Sequence, residues 1–528
     1  MTPVATESSV LVSSSAYLNH TPLREWFSTE LLRKNGKDRR PISDNTPLNR
    51  ALADIRDNAL VDAMFERDRK LSPALDRWMT EKFYSTFTVE DLATCPPDSV
   101  GGIYYNYIQG GIELDIGFAL DSRNWYEYAI VRYSRNHDFE HILTGGPFTF
   151  PGEYAPLFAM ITNTHNYMSP DLAAFIGMRS ALGSLRFLSR AVLHYPGSVA
   201  ACLDAIALGI EVGLASDPIR LIKVEDVLRL PLEAAREKLG IRGAYDLPAE
   251  PGGSAWLDPF DAEAIAADSH LPYIKRGMRK VATASSVLVS SSKYMNDVRL
   301  RDWTATAMLR KCGADYPDAE EEARLEVILD PLRDTVGFNA RAEVARRANP
   351  VLNRLLTERP TLDAGAFAAA PAGSVGARLT QRGLPHSLAI GDDAWSYLSA
   401  RAQAAEAVLA VLFEGRGDPL EEIMPGWAMA AALANHLEAD LAGELNIGRV
   451  LSLQRFIART QLHYPESWIA IARAMRQGIA TGKAAPPLYA MDFTAIAALS
   501  PAEARARLGI ADWTAVDTRA ASAAYGAA

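Results

Sequence analysis

Apolar residues recur every three to four positions along most of the chain. Leu185, Leu188 and Val192 show this spacing, and residues 200–212 continue it after a break at Pro196. Such spacing places apolar side chains on one face of an α-helix, whereas no convincing stretch alternates apolar and polar residues as a strand would. Proline and glycine pairs interrupt these stretches and predict helix ends. The pattern predicts an all-α protein.

Long stretches of the sequence occur twice. Val4–Ser15 reads VATESSVLVSSS and Val281–Ser292 reads VATASSVLVSSS. The tetrapeptide Leu-His-Tyr-Pro likewise occurs at residues 193–196 and 462–465. A period this long indicates two homologous domains rather than a stack of short repeats. We therefore expect two homologous helical domains in tandem, related by a pseudo-twofold axis, so that the chain is an intramolecular pseudo-dimer.

The boundary between the two domains is predicted from composition. Residues 243–268 contain several prolines and glycines, which is typical of a linker. The expected organisation is a first domain at residues 1–245, a linker at 246–280, a second domain at 281–510 and a tail at 511–528. The tail is rich in alanine and other small residues and is expected to fray.

One group of residues has the character of a metal site. On a helix, His137 and His141 project about 40° apart, and Asp138 falls within about 100° of His137. A Gly-Gly-Pro break at residues 145–147 lets the chain reverse, so that Glu153 can return toward this helix. Imidazoles combined with carboxylates suit a divalent transition metal. The sequence predicts a metal site made by His137, Asp138, His141 and Glu153; the alternative is an ordinary solvated helix face.

Tyr133 precedes His137 by one helical turn. Two interpretations stay open for it: a hydrogen-bond donor to a ligand of the metal, or a core aromatic residue with a solvated hydroxyl. His194 has a counterpart in His463, in the copy without the ligand set. That correspondence favours a structural role for His194.

The second copy is expected to lack the metal site. We align Trp125 with Trp395 and Gly145 with Gly415. The alignment places apolar residues at all four ligand positions, namely Ala407, Val408, Val411 and Trp427. Buried carboxylates without a cation are unfavourable, so joint loss of the four ligands is consistent with their acting as one unit.

These residues resemble the signature of the ubiquinone-biosynthesis family called Coq-four, which is HDxxH, eleven residues and then Glu. The sequence has this pattern over residues 137–153. The resemblance extends to Tyr128 and Arg132 before the motif and to the closing stretch at 231–241, and it covers most of residues 50–241. The family's Lys-Trp-Phe-Glu run after the glutamate is absent here.

The resemblance implies an all-helical protein that binds a divalent ion beside a hydrophobic cavity for a polyprenyl chain. It implies a metal-dependent carboxy-lyase that removes the ring carboxyl at C1 of a prenylated hydroxybenzoate or related aromatic acid, with oxidation at the same carbon. Zinc is the expected ion, with iron, manganese and magnesium as alternatives, because zinc has no redox chemistry of its own. The catalytic residues would be the four ligands and Tyr133.

Other functions remain open at this point. The chain could be a non-catalytic scaffold or prenyl-lipid carrier of the quinone pathway with a structural ion, or a tailoring enzyme of secondary metabolism. An HD-type phosphohydrolase is disfavoured because it needs a further histidine upstream, and none lies between His20 and His137. The expected partners are the hydrophobic aromatic acid, other quinone-biosynthesis proteins and, peripherally, a membrane.

Composition narrows the partners and the compartment. The 54 Lys and Arg residues and 64 Asp and Glu residues give a net charge of −10, which argues against nucleic acid. Three widely spaced cysteines fit a reducing compartment. The first residues do not resemble a secretory signal, and no apolar stretch reaches about 18 residues without a charge. A cytoplasmic location is expected, with peripheral contact at the inner membrane.

Overall fold

The computed structural model describes residues 13–34, 45–110, 122–249, 292–312, 318–361, 364–382, 391–414 and 422–510. The predicted linker at 246–280 lies outside these residues from position 250 onward, and the predicted tail lies wholly outside them. Most of the repeated N-terminal segments, Val4–Ser15 and Val281–Ser292, also fall outside them.

In its described residues, the regular elements of the first half are helices. The helices are α1 (Ala16–Asn19), α2 (Thr21–Glu30), α3 (Asn45–Ile55), α4 (Asn58–Asp68), α5 (Pro73–Glu81), α6 (Val89–Ala93), α7 (Val100–Gln109), α8 (Trp125–Thr144), α9 (Tyr154–Tyr167), α10 (Pro170–His194), α11 (Val199–Ala215) and α12 (Leu232–Leu239). Short 3-10 turns follow α10 at Pro196–Ser198 and follow α11 at Ile219–Leu221 and Val224–Asp226.

The second half follows the same plan. Its helices are α13 (Lys293–Asn296), α14 (Val298–Leu309), α15 (Asp318–Leu329), α16 (Thr335–Ala345), α17 (Pro350–Glu358), α18 (Ala364–Ala368), α19 (Val375–Gln381), α20 (Ala394–Leu412), α21 (Ile423–His436), α22 (Ala439–His463), α23 (Trp468–Ala484), α24 (Phe493–Ala497) and α25 (Pro501–Arg507). Among the described residues, β-pairing is limited to one isolated bridge between Ser99 and Pro231. The predicted all-α class is confirmed for this part of the chain.

Four pairs of corresponding helices in the two halves have equal lengths. α9 and α21 have 14 residues each, α10 and α22 have 25, and α11 and α23 have 17. α5 and α17 have nine residues each, and both end on a left-handed residue that is not glycine: Lys82 with φ 43° and Arg359 with φ 45°. Because non-glycine residues seldom adopt this conformation, the shared ending is a specific likeness between the halves.

Matching contacts fix the register between the halves. In each of three pairs the second residue lies 269 positions after the first. The pairs are Asn124 and Asp393, the N-caps of α8 and α20; Tyr128 and Tyr397, whose hydroxyls donate to the carbonyls of Phe83 and Pro360; and Gly145 and Glu414, both with positive φ. This register becomes important at the metal ligands.

The two halves share one core. α10 packs along α22, α2 along α14, and α11 along α23, and a continuous apolar cluster includes residues from both halves. The Ser15 hydroxyl donates to the carbonyl of Leu309 at 2.6 Å, and the Ser292 hydroxyl donates to the carbonyl of Leu32 at 2.7 Å. Each half thus makes the same contact to the other, as at an isologous interface.

One helical stretch, Pro196–Ala215, is long and apolar enough to cross a membrane by length and composition alone. In the structure 61% of its apolar window is buried, and α11 packs against α9 and α23. A core helix of a soluble protein passes the same test, so this stretch is weak support for a membrane span.

Two histidines at the junction should make stability depend on pH. The His194 ring lies 5.8 Å from that of Tyr294, and the His463 ring lies 5.5 Å from that of Tyr17. Burial lowers the pKa of His194 to about 3 and that of His463 to about 4. The unfolded chain therefore binds more protons below about pH 6.5, so stability should fall as the pH drops from about 6.5 to 4.

We expect each histidine to contribute about 2 kcal/mol of this loss at pH 5. Urea unfolding at pH 7.5 and pH 5 measures it. The double variant His194→Gln, His463→Gln should lose less stability between the two pH values than the parent chain. An equal loss in both proteins would show that other groups cause the dependence.

Candidate metal centre

The helix α8 carries both histidines on its inner face. It begins after Asn124, whose side chain accepts from the N–H of Glu127, and it ends at Gly145, whose φ of 87° is left-handed. His137 and His141 lie one turn apart within this helix, so their rings lie side by side, with centroids 5.0 Å apart. Both imidazoles therefore reach the same volume beside the helix.

A tight turn returns the chain to this face. A Cβ on Gly146 would crowd the carbonyl oxygen of Gly152, and a Cβ on Gly152 would overlap that of Pro147. Only glycine allows so close an approach of the backbone at these positions. The turn places Glu153 at the N-cap of α9, facing α8.

Three side chains converge at this point. The Nε2 atom of His137 lies 3.2 Å from Oε2 of Glu153, and Nε2 of His141 lies 3.5 Å from Oε1 of the same carboxylate. One ligand atom from each of the three residues lies within 4.8 Å of the other two. His141 is 1% exposed, whereas His137 and Glu153 are 28% and 30% exposed, so the group is reachable from solvent on one side.

The second ring nitrogen of each histidine is also held. Nδ1 of His141 lies 3.1 Å from the carbonyl oxygen of Gly146, and a carbonyl can only accept, so Nδ1 carries the proton. Nδ1 of His137 lies 3.7 Å from Oε2 of Glu140. These contacts turn both Nε2 atoms toward Glu153, an arrangement that metal-binding histidines also show.

The three groups perturb one another strongly. Burial opposes the charged form of His137, but Glu140 and Glu153 outweigh it and raise the pKa of His137 to about 10. Burial likewise opposes the charged form of Glu153, but the two histidines hold the pKa of that carboxyl well below its usual range. The site therefore favours a positive charge beside Glu153, which a proton or a metal ion can supply.

The other two predicted site residues lie elsewhere on α8. Asp138 is not part of the three-residue group, because its carboxylate accepts a 2.5 Å hydrogen bond from the hydroxyl of Tyr104 on α7. Tyr133 is buried, and its hydroxyl has no hydrogen-bond partner among the described residues. Their roles as a ligand and a catalytic residue stay predictions.

Comparison with known proteins gives the site a context. No protein-family model matches the chain. It is 32% identical over 170 residues to ubiquinone biosynthesis protein COQ4, mitochondrial, of Paracoccidioides brasiliensis, a match that covers 31% of this chain and 53% of that protein. It is 29% identical over 200 residues to the corresponding protein of Neosartorya fischeri, with 37% and 61% covered.

The chain is homologous to COQ4 over about a third of its length. It spans about half the length of the curated COQ4 relatives it matches. A crystal structure described as a ubiquinone biosynthesis protein from Nostoc punctiforme matches 38% of this chain and 89% of its own, at 14% identity and a TM-score of 0.29.

The group of three possible metal ligands occurs, among the described residues, in the first half alone. The structural register corrects our alignment of the second half. With residues paired 269 positions apart, the ligands His137, Asp138, His141 and Glu153 correspond to Glu406, Ala407, Ala410 and Glu422. Val408, Val411 and Trp427 therefore do not correspond to ligands. Ala407 still corresponds to a predicted ligand, but to Asp138 instead of His137.

Two contacts establish the corrected register around Glu153. A Cβ on Gly209 would meet the side chain of Phe158, and a Cβ on Gly478 would meet that of Trp427. Trp427 thus corresponds to Phe158, and Glu422 at the N-cap of α21 corresponds to Glu153 at the N-cap of α9.

An arginine accompanies the altered ligand set. Nε of Arg449, on α22, donates to Oε2 of Glu406 at 2.8 Å, and the Arg449 side chain is 8% exposed. The corresponding residue on α10 is Ser180. In the second half a guanidinium therefore provides the positive charge that pairs with the carboxylate at the His137 position.

Sequence reasoning missed two residues of this region. Glu140 lies inside the HDxxH motif, and its spacing of three residues from His137 was a usable signal. Arg220, whose guanidinium lies 4.3 Å from the ring centroid of Tyr133, comes from a 3-10 turn far along the chain, and nothing in the sequence pattern points to it.

Proposed function

We propose that the chain is a metal-dependent enzyme of the ubiquinone-biosynthesis type that removes the C1 carboxyl group of a prenylated hydroxybenzoate or related aromatic acid. The observation that supports it most is the convergence of His137, His141 and Glu153 at the edge of a buried polar region. The homology with COQ4 supplies the substrate class. The expected location is the cytoplasm, with peripheral contact at the inner membrane.

The donor set fits a divalent ion. Two imidazole nitrogens and one carboxylate are the ligands of many catalytic zinc sites, which keep a further position open. His137, His141 and Glu153 would hold the ion, and zinc is the first choice, with iron, manganese and magnesium as alternatives. A bound ion would act as a Lewis acid toward an oxygen atom of the substrate.

Groups around the three ligands would hold them in position. The backbone carbonyl of Gly146 and the carboxylate of Glu140 orient the two imidazoles, and the hydroxyl of Tyr104 binds the carboxylate of Asp138.

In a simple decarboxylation the bond between C1 and the carboxyl carbon breaks, carbon dioxide leaves, and the electron pair left on C1 takes a proton. In the oxidative form the same bond breaks and carbon dioxide leaves, C1 gains a hydroxyl group from water, and dioxygen takes up the two electrons and two protons to become hydrogen peroxide. An assay without oxygen separates these two reactions.

We also propose that the chain arose by tandem duplication, with a degenerate second domain. Equal helix lengths, the constant register and the reciprocal contacts of Ser15 and Ser292 support this proposal. The proposed bounds are residues 1–245 and 281–510 for the domains, with a linker at 246–280 and a tail at 511–528.

His137→Ala should abolish both metal binding and turnover. We expect the parent chain to hold about one ion and the variant none, because two remaining ligands bind an ion weakly. Elemental analysis of the purified protein measures the ion. Release of labelled carbon dioxide from a carboxyl-labelled prenyl hydroxybenzoate measures turnover.

His20→Ala is the matched control. Its side chain is 20% exposed and lies beside one carboxylate, Asp54, much as His137 lies beside Glu153. The control should retain the ion and the activity. A His137→Ala protein that unfolds would indicate a structural ion and favour the scaffold or carrier function. If the folded parent chain releases no carbon dioxide from such acids, the proposed enzymatic function is wrong.

A further inference from the structure

Buried polar groups without partners occur on α8, the helix of His137, and on residues 219–225. Among the described residues these atoms have no hydrogen-bond partner: Arg132 Nε, Tyr133 Oη, Arg135 Nη1, Asn136 Oδ1, both oxygens of Glu140, Nε and Nη2 of Arg220, and both oxygens of Glu225. Buried polar atoms are nearly always paired in native proteins. Such a concentration indicates a place that takes water or a polar ligand.

Arg220 provides the most specific group in this region. It is 4% exposed, and its guanidinium lies over the Tyr133 ring. The partnerless atoms are Nε and Nη2, which share one edge of the guanidinium plane. Two parallel N–H donors on one edge match the two oxygens of a carboxylate. The stacking on Tyr133 holds the plane in one orientation.

No carboxylate of the described residues contacts Arg220 within 4 Å. Glu140 is the carboxylate whose charge acts most on Arg220. It is fully buried, and its Oε2 lies 3.7 Å from Nδ1 of His137. Burial lowers the pKa of Arg220, and the charge of Glu140 opposes this only in part. A buried cation without a contacting anion is unfavourable, so an anionic ligand at this edge would be stabilised.

The surroundings suit an aromatic ring. Tyr133 belongs to an apolar cluster that also contains Phe65, Trp78 and Tyr128. The Trp78 ring centroid lies 6.3 Å from that of Tyr133 and 4.5 Å from that of Tyr128. A ligand that reaches Arg220 would therefore meet aromatic faces beside its charged end.

We propose that the free edge of Arg220 and the Tyr133 hydroxyl bind the carboxylate of a hydroxylated aromatic acid, while Glu140 accepts a hydrogen bond from a hydroxyl group of the same ligand. The inference rests on the proposed function and identifies the residues that select an acid over its neutral analogues. Tyr133 then binds substrate and does not act on the metal.

The experiment compares 4-hydroxybenzoate with its methyl ester, which keeps the ring and hydroxyl but has no carboxylate. Calorimetry on the full chain should show that the acid binds more tightly than the ester. Arg220→Gln should weaken binding of the acid by about ten- to a hundredfold, because hydrogen bonds to a charged group are lost. It should leave binding of the ester unchanged. The ion content should stay as in the parent chain.

Two further variants protect the test against a folding defect. Tyr133→Phe removes only a hydroxyl, so the variant should fold, and its affinity for the acid should be about two- to tenfold weaker. Arg401→Gln is the matched control, because Arg401 is a buried arginine of the second half whose Nε, Nη1 and Nη2 all donate to backbone carbonyls. It should leave the preference for the acid unchanged.

Each outcome decides the proposal. If neither Tyr133→Phe nor Arg220→Gln changes the preference for the acid, the region holds only water and the inference is wrong. The same conclusion follows if the substitutions weaken binding of the acid and of the ester equally. If the parent chain binds neither probe, the inference and the substrate class both fail. If the preference depends on Arg220 but no carbon dioxide is released, the subsite stands and the proposed reaction fails.

Discussion

A chain carrying Glu406→His, Ala410→His and Arg449→Ser together should bind a second metal ion. The register places Glu406 and Ala410 at the positions of the two histidine ligands, and Glu422 is already present at the position of Glu153. Arg449 now pairs with Glu406, so its charge must be removed as well. Elemental analysis should give about two ions per chain where the parent gives about one.

Cobalt substitution provides a second measurement, because the absorbance of bound cobalt per chain should rise with the number of occupied sites. Adding Glu422→Gln to the triple variant should return the content to about one ion. Arg449→Ser alone should add none, since only carboxylates would be available at the site. A folded triple variant that still holds one ion would contradict both the register and the proposed duplication.

Glu321→Leu should destabilise the second half severely. The buried Glu321 carboxylate lies between two buried arginines, at 2.6 Å from Nε of Arg310 and 2.5 Å from Nη2 of Arg459. Removing it leaves two buried guanidiniums without their counter-charge, which should lower the free energy of unfolding by about 3–5 kcal/mol. Urea denaturation at pH 7 measures this loss.

The exposed pair of Arg324 and Asp302 gives the control. Its side chains are 39% and 60% exposed, so Asp302→Asn should change the unfolding free energy by less than about 1 kcal/mol. Equal small effects of the two substitutions would show that the buried cluster is not stabilising.

The same cluster predicts the behaviour of the parent chain in acid. Burial opposes ionisation of Glu321, but Arg459 and Arg310 outweigh it and lower its pKa to about 2. A lowered carboxyl pKa contributes stability above the unfolded value, near 4.5, and that contribution disappears as the pH falls toward 2. In Glu321→Leu this part of the acid sensitivity should be absent.

Much of the fold and part of the site follow from local sequence. The apolar spacing predicted helices, and the Gly-Gly-Pro break predicted the reversal that brings Glu153 back to α8. Asp138 shows the limit of a helical projection. Its angle to His137 permits a ligand, but Tyr104 on α7 engages its carboxylate, and no local pattern reveals which neighbour a side chain will meet.

The error in the second half has a physical cause. The backbone N–H groups of Trp125 and Trp395 both donate to a side chain of the preceding helical region, Asp62 and Asn339 respectively. Trp125 is nevertheless the first residue of its helix and Trp395 the second. Aligning two identical tryptophans therefore displaced the three ligand positions on the helix by one residue, which rotates the predicted face by about 100°. Together with a four-residue insertion in that alignment, it displaced the Glu153 position by five residues, from Glu422 to Trp427.

Two reciprocal hydrogen bonds join the halves, from Ser15 to Leu309 and from Ser292 to Leu32. They also bear on how the two halves come together. Two separate subunits would meet only by diffusion and would come apart on dilution. A single polypeptide makes that encounter intramolecular, so the encounter does not depend on the concentration of the chain. The pairing of the half that carries His137, His141 and Glu153 with the half that carries Arg449 is then independent of expression level.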